Sequence, residues 1–257
     1  MSSVNGSPQR PLITAHTGCE GTAENSLASI ITGIEAGADA VEIDVRTTAD
    51  GVGVLLHDPC IRVSGSGGVP VASLSLAKLR RVERRLKGTV PEWDEPVALL
   101  DDALALVRDY DVMINLDVKD GASIPSIVGS VERFKLADQV VLSGCSRAQA
   151  AVITSTHPGL RVLLNSDGVD AAANDGAYRR FTAQTYHDAV SAGCCGINID
   201  YRICRDSLVC YAHQRFLPVS VWTVNTAEEM RRMAGLGVFA ITTYEPRLLL
   251  RVLERAA

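Results

Sequence analysis

Short apolar runs with strand-like alternation recur along this 257-residue chain, separated by longer stretches with helical spacing. The pattern is densest at residues 40–58, AVEIDVRTTADGVGVLLHD. Here Val41, Ile43 and Val45 fill one face behind Ala40, while Glu42 and Asp44 share the other. Asp50-Gly51 marks a turn, and residues 52–56 run apolar into His57-Asp58. Upstream, PLITAH (11–16) reads as a short strand closed by a histidine. The stretch ENSLASIITGIEAG reads as an amphipathic helix with Leu27, Ile30, Ile31 and Ile34 on its apolar face and Gly37 at its end. Residues 59–72, rich in Gly, Ser, Pro and Val, are expected to form a loop over one face of the fold. LSLAKLRRVERRL and LDDALALVRDY follow as helical patterns on either side of the turn-rich GTVPEWDEP.

The second half alternates regularly. Strands are expected at 112–119, 139–144, 160–166, 196–200, 219–224 and 239–244, and helices near 124–136, 147–155, 177–192, 205–215, 226–234 and 246–256. With residues 52–56 set aside as an excursion, the count is eight strong strands. Repeated strand–helix alternation over this length predicts an α/β fold, a single (β/α)8 TIM barrel, with an open doubly wound sheet as the alternative. Residues 1–10 are expected to be a disordered polar tail and 11–257 a single domain, since no linker, repeat or low-complexity tract interrupts them.

Composition narrows the partners. The chain is 47% hydrophobic and 21% charged, as expected of a globular protein. A net charge of -5 with no Lys/Arg block gives no reason to expect nucleic acid or an anionic membrane surface as a partner. No apolar run approaches a membrane span. The opening MSSVNGSPQR lacks the apolar core of a signal peptide, so a cytoplasmic location is expected. Seven cysteines (19, 60, 145, 194, 195, 204 and 210) show no C-x-x-C spacing; reduced thiols are expected and a zinc site is unsupported.

The chemistry gathers at strand ends. In a TIM barrel the C-terminal ends of the strands carry the site. Placed there are His16, Glu42, Asp44, His57, Asp117, Lys119, Asn198, Asp200, Trp222 and Asn225. Two adjacent buried carboxylates repel unless a cation or proton lies between them, so Glu42-x-Asp44 is a candidate metal site. Asp117 in INLDVK adds a third carboxylate, an oxygen set suited to Mg²⁺ or Ca²⁺. Lys119 shares its face and offers a positive charge to an anionic oxygen, or else a salt bridge to Asp117.

Together these stretches resemble the glycerophosphodiester phosphodiesterase family. The resemblance is carried by ITAHTGCEGTAENSLASI, GADAVEIDVRTTADGVGVLLHD, RVSGSGGVPVASLSLAKLR, EPVALLDDALALV, INLDVK, VSVWTVN and GVFAITTYEP. It implies a TIM barrel, a divalent cation, and hydrolysis of a glycerophosphodiester-like phosphate ester by two histidines. Carried over residue by residue, it implies His16 and His57 as the acid/base pair and Glu42, Asp44 and Asp117 as metal ligands. It further implies Lys119 on the phosphate side and Trp222 beside the small-molecule substrate. It says nothing of the oligomeric state.

Three positions depart from the family pattern in ways that bear on the substrate, and Asp117 in place of a ligand glutamate is a milder fourth. Thr17 stands where an arginine usually follows the first histidine, Ala23 replaces the proline of P-E-N-T, and Tyr244 replaces the aspartate of T-D-x-P. Arg46 and Arg62 lie near in sequence, but sequence places neither in the site. An enzyme acting on a diphosphate or specialised metabolite by lyase or cyclase chemistry is one alternative. A barrel that binds a phosphorylated ligand without turnover is another. A toxin-like phospholipase D that forms a cyclic phosphate ranks lower, for lack of a secretory context and clear disulfide pairing.

Overall fold

The computed structural model describes residues 10–63, 66–87, 95–166, 168 and 174–254. Of the expected tail only Arg10 falls among these, and so does only the end of the turn-rich 88–96 segment. In chain order the elements are β1 (Leu12–Ala15), α1 (Leu27–Glu35), β2 (Ala40–Thr47), β3 (Gly53–Leu55), β4 (Cys60–Val63), β5 (Ser66–Pro70), α2 (Leu76–Leu86), α3 (Leu100–Val107) and β6 (Met113–Val118). Strand and helix then alternate as α4 (Ile124–Phe134), β7 (Val140–Cys145), α5 (Arg147–Thr156), β8 (Arg161–Ser166), α6 (Asp175–Ser191), β9 (Gly196–Asp200), α7 (Asp206–His213), β10 (Val219–Trp222), α8 (Ala227–Leu236), β11 (Ala240–Thr243) and α9 (Pro246–Glu254).

Eight of these strands are parallel and close into a TIM barrel. Their order is β1-β11-β10-β9-β8-β7-β6-β2, and the pairing of Thr14 with Ala40 joins β2 back to β1. That closure excludes the open doubly wound sheet. β3 stands outside the ring, antiparallel to β2, with Leu55 opposite Val45. Residues 59–72, expected as a loop, instead contain the antiparallel pair β4–β5, in which Ile61 faces Val69. A glycine-rich run such as SGGVP hides a strand because Gly gives no side chain to pack, yet its backbone pairs as well as any other. In this pair Gly68 lies so close to Cys60 that an added Cβ would sit 2.8 Å from the Cys60 Cβ.

Alternation sorts the barrel strands into two environments. Ile13, Val41, Ile43, Val45, Ile114, Leu116, Val118, Leu142 and Ile241 are fully or almost fully buried and pack outward against the helices. The intervening positions face the barrel axis and are polar: Thr14, Glu42, Asp44, Asn115, Asp117, Ser143, Asn198 and Thr242. Helix starts follow their caps, with Ser26, Ser75 and Ser146 each accepting a hydrogen bond from the backbone N–H three residues on. A second apolar cluster of Val54, Ile61, Val71, Leu79 and Leu86 holds the β3–α2 excursion together. No helix among the described residues is long and apolar enough to cross a membrane.

Candidate active site

Register places the acids. Asp44 is the partner of Asp117 across β2 and β6, and Glu42 the partner of Asn115 one layer deeper. The carboxylates of Glu42, Asp44 and Asp117 offer oxygens that all lie within 4.8 Å of one another. Asp44 is only 1% exposed. Lys119 Nζ sits 2.8 Å from Asp44 Oδ1 and 2.6 Å from Asp117 Oδ2, so the salt bridge expected as one option is made to both acids. Burial works against its charge, but the two carboxylates override that and hold its pKa above the usual lysine range. Glu42 goes the other way. Burial and then the charges of Asp44 and Asp117 push its carboxyl well above the usual carboxylate range, against the lowering effect of the Thr17 N–H.

Further polar groups brace the cluster. Ser143 Oγ donates to Asp117 Oδ1 at 2.7 Å. Asn25 grips Asp44 twice: its Nδ2 donates to Oδ2 at 2.8 Å, and its Oδ1 accepts from the Asp44 N–H at 3.0 Å. Gly144 follows Ser143 at φ 72°, a left-handed conformation, and a Cβ there would lie 2.8 Å from Asp117 Oδ1. A donor set of three carboxylates in a common site suits a hard divalent cation, and no sulfur or imidazole enters it.

His16, His57, Glu42, Asp44, Asp117, Lys119 and Trp222 all line one cavity of about 410 Å³. These seven residues are thus brought to the C-terminal mouth of the barrel, as is Asn198. His16 Nδ1 is 2.8 Å from the carbonyl of Thr17. A carbonyl only accepts, so this nitrogen carries the proton and Nε2 is left to exchange one. Glu42 Oε2 lies 3.6 Å from the same Nδ1. His57 is at the rim, its side chain 61% exposed, with Nδ1 3.0 Å from Asp58 Oδ1. The two histidines therefore approach the acids from different elements, β1 and the end of β3.

The departures have physical consequences. Thr17 is 1% exposed and turned into the structure, where its N–H donates to Glu42 Oε2 and its Oγ1 accepts from the Asn25 N–H. It braces the acids from behind. Tyr244 lines the cavity, with its ring 4.3 Å from that of His16 and its hydroxyl 3.4 Å from Glu24 Oε1. Burial and the nearby Glu24 and Glu42 charges push its phenol up to about 12, so it remains a neutral donor. Arg46 reaches the His57 carbonyl and Asp120, and Ala23 lies on a neighbouring cavity.

Some cavity residues were not picked out from sequence: Asn115, Ser143, Asn165, Thr223 and Thr242. The two-residue alternation that located Glu42 and Asp44 would have found Asn115, two before Asp117. Asn115 Oδ1 and Trp222 Nε1 are buried without a hydrogen-bond partner among the described residues, although both side chains line the cavity. Asp200 and Asn225 serve structure instead. Asp200 pairs with Arg202, and Asn225 Oδ1 accepts the Tyr244 N–H.

Comparison with known proteins agrees with this architecture. A glycerophosphodiester phosphodiesterase of Caldanaerobacter subterraneus subsp. tengcongensis is 22% identical over 252 residues, spanning 96% of this chain and 99% of its own. The crystal structure of a Silicibacter pomeroyi protein assigned as a glycerophosphoryl diester phosphodiesterase superposes with a TM-score of 0.83 at 25% identity, covering 98% of this chain and 95% of that one. An Oleispira antarctica phosphodiesterase solved with its product sn-glycerol-3-phosphate shares the fold, with a TM-score of 0.78 at 20% identity and coverage of 95% and 97%. The model of the glycerophosphoryl diester phosphodiesterase family matches residues 10–248. With the barrel closed and acids, lysine and histidines on one cavity, the chain belongs to the glycerophosphoryl diester phosphodiesterase family.

Proposed function

We propose that the protein hydrolyses a glycerophosphodiester, with His16 and His57 as the acid/base pair and Glu42, Asp44 and Asp117 as ligands of a divalent cation, Mg²⁺ or Ca²⁺. The observation that carries this reading is the convergence of three carboxylates within 4.8 Å, one ammonium and two imidazoles on a single cavity. A bound cation would neutralise phosphate charge and orient the diester. Lys119 adds a fixed positive charge on the phosphate side, and Trp222 forms part of the wall beside the substrate. One histidine takes the proton of the attacking water while the other delivers a proton to the departing alkoxide. Each such transfer is typically worth about 10²–10⁴-fold. The product of the Oleispira relative, sn-glycerol-3-phosphate, is the product expected here.

One observation favours a second reading. Thr17 is bonded to Asn25 and Glu42 and brings no guanidinium to the phosphate side, which favours a substrate recognised in another way, such as a diphosphate or specialised metabolite. Turnover of glycerophosphocholine, lysophospholipids and prenyl diphosphates, with and without Mg²⁺ or Ca²⁺, separates the two when products are followed by mass spectrometry. Metal-dependent release of glycerol 3-phosphate supports the first reading; conversion of the diphosphate alone sinks it.

A further inference from the structure

We propose that Arg46 is a positioning residue for the reaction, which together with Asp120 clasps the backbone of His57 in place over the carboxylate cluster. This rests on the acid/base role proposed for His57.

His57 needs such a hold. Its imidazole stands largely in solvent, and its ring contact is with Asp58, the next residue, which moves with it. The segment is tied to the barrel through the backbone. The Leu56 N–H donates to the carbonyl of Asp44 at 3.1 Å, and Arg46 Nε donates to the carbonyl of His57 itself at 2.9 Å. Arg46 lies on β2 two residues beyond Asp44, on the same strand face as the acids.

The other arm of the guanidinium is equally engaged. Nη1 donates to Asp120 Oδ2 at 2.9 Å, while Asp120 Oδ1 accepts from the Ser123 N–H at 3.0 Å and so caps the turn at Gly121–Ser123. Asp120 directly follows Lys119. The clasp thus ties the end of β6, which delivers Lys119, to the end of β3, which delivers His57, with β2 between them. A planar fork can satisfy two partners in fixed directions at once, which a lysine ammonium does poorly. The Arg46 side chain is 12% exposed and that of Asp120 36%, so this ion pair is screened less than one standing fully in solvent. A charged donor also makes a stronger bond to a carbonyl than a neutral one does.

The test uses the full-length enzyme with Ca²⁺ or Mg²⁺ and glycerophosphocholine as substrate. Misplacement of a reacting group by about 1 Å costs on the order of 10²-fold, so Arg46→Met is expected to lower kcat by about 10–100-fold. KM and the Ca²⁺ affinity read by calorimetry should stay within about twofold, since neither depends on His57. Arg46→Lys should recover part of the loss. In a His57→Ala background, Arg46→Met should cost less than about twofold more, because residues acting as one unit are not additive. Wild-type kcat in Arg46→Met, or the same fold-loss in both backgrounds, overturns the clasp. Where Arg46→Met fails to fold, Asp120→Asn cuts one end of the clasp, and wild-type kcat in that variant overturns it as well. Wild-type turnover of His57→Ala alone would instead remove the acid/base reading, and this inference with it.

Discussion

Asp44 and Asp117 face each other across adjacent parallel strands and close on the same ammonium, that of Lys119, at 2.8 and 2.6 Å. Three carboxylates and one ammonium leave the cluster short of positive charge. Lys119→Met removes the ammonium that both acids bond, and breaking a buried pair in this way costs about 3–5 kcal/mol. Urea unfolding in EDTA should show that loss, and added Ca²⁺ should recover part of it. An unchanged midpoint in EDTA would mean that the pair contributes nothing to the fold.

Glu42 makes the metal-free protein sensitive to pH. Its folded-state pKa lies above the ordinary 4.5, so below that value the group costs nothing. As pH rises from the ordinary value through the raised one, charging the buried carboxyl removes stability, and above it the cost is complete. In EDTA the wild type should therefore lose ground to Glu42→Gln between acidic and neutral pH. Thermal unfolding of both proteins at several pH values checks this, and parallel curves would contradict it.

Cation binding should register in unfolding as well as in activity. At about 100 times its dissociation constant, a ligand bound only by the folded state adds about 2.7 kcal/mol. Asp117→Asn, which leaves two of the three carboxylates, should lose most of the increase in Tm that Ca²⁺ or Mg²⁺ gives the wild type. Equal shifts in the two proteins would place the cation elsewhere.

Thr17 offers a test of what replaced the usual arginine. Thr17→Val keeps the shape and removes the acceptor for the Asn25 N–H, leaving a buried donor unmatched at about 1–3 kcal/mol. Since Asn25 holds Asp44, Ca²⁺ affinity should fall along with stability. Thr17→Arg should not rescue phosphate binding, because the position is walled in and the added volume must displace Asn25 or Glu42. A stable Thr17→Arg protein with a lower KM would refute this.

Gly144→Ala should damage the site more than its chemistry suggests. Its Cβ would meet Asp117 Oδ1 at 2.8 Å and the Val118 carbonyl at 2.7 Å, on a backbone at φ 72°. Reduced Ca²⁺ affinity and a lowered Tm are both expected, and calorimetry with thermal unfolding would read them.

Much of this was legible in the chain because two simple periods were kept. Strands such as GINID and MINLDV alternate cleanly enough that their inward positions could be named, and the acids followed. The β4–β5 pair was missed because SGGVP carries little side-chain signal, and backbone pairing leaves no trace in composition. Thr17, Arg46 and Tyr244 were visible as residues but not as roles. Their partners Asn25, Asp120 and Glu24 are brought to them by barrel closure or by loops, relationships that no local period encodes. Asn115 could have been found, since it obeys the same alternation as Asp117.

β3 is bonded to the ring along one edge only, through β2, while the seam between β1 and β2 closes without it. The two histidines proposed as the acid/base pair therefore belong to parts of the molecule with different freedom to vary. His16 is fixed to the closed ring, whereas His57 rides on an appendage with its own small core. Insertions and deletions between β3 and α3 can re-aim the second histidine and reshape the approach to it without opening the ring. Change in substrate range along a lineage is accordingly expected to accumulate in that appendage, with the acid cradle inherited intact.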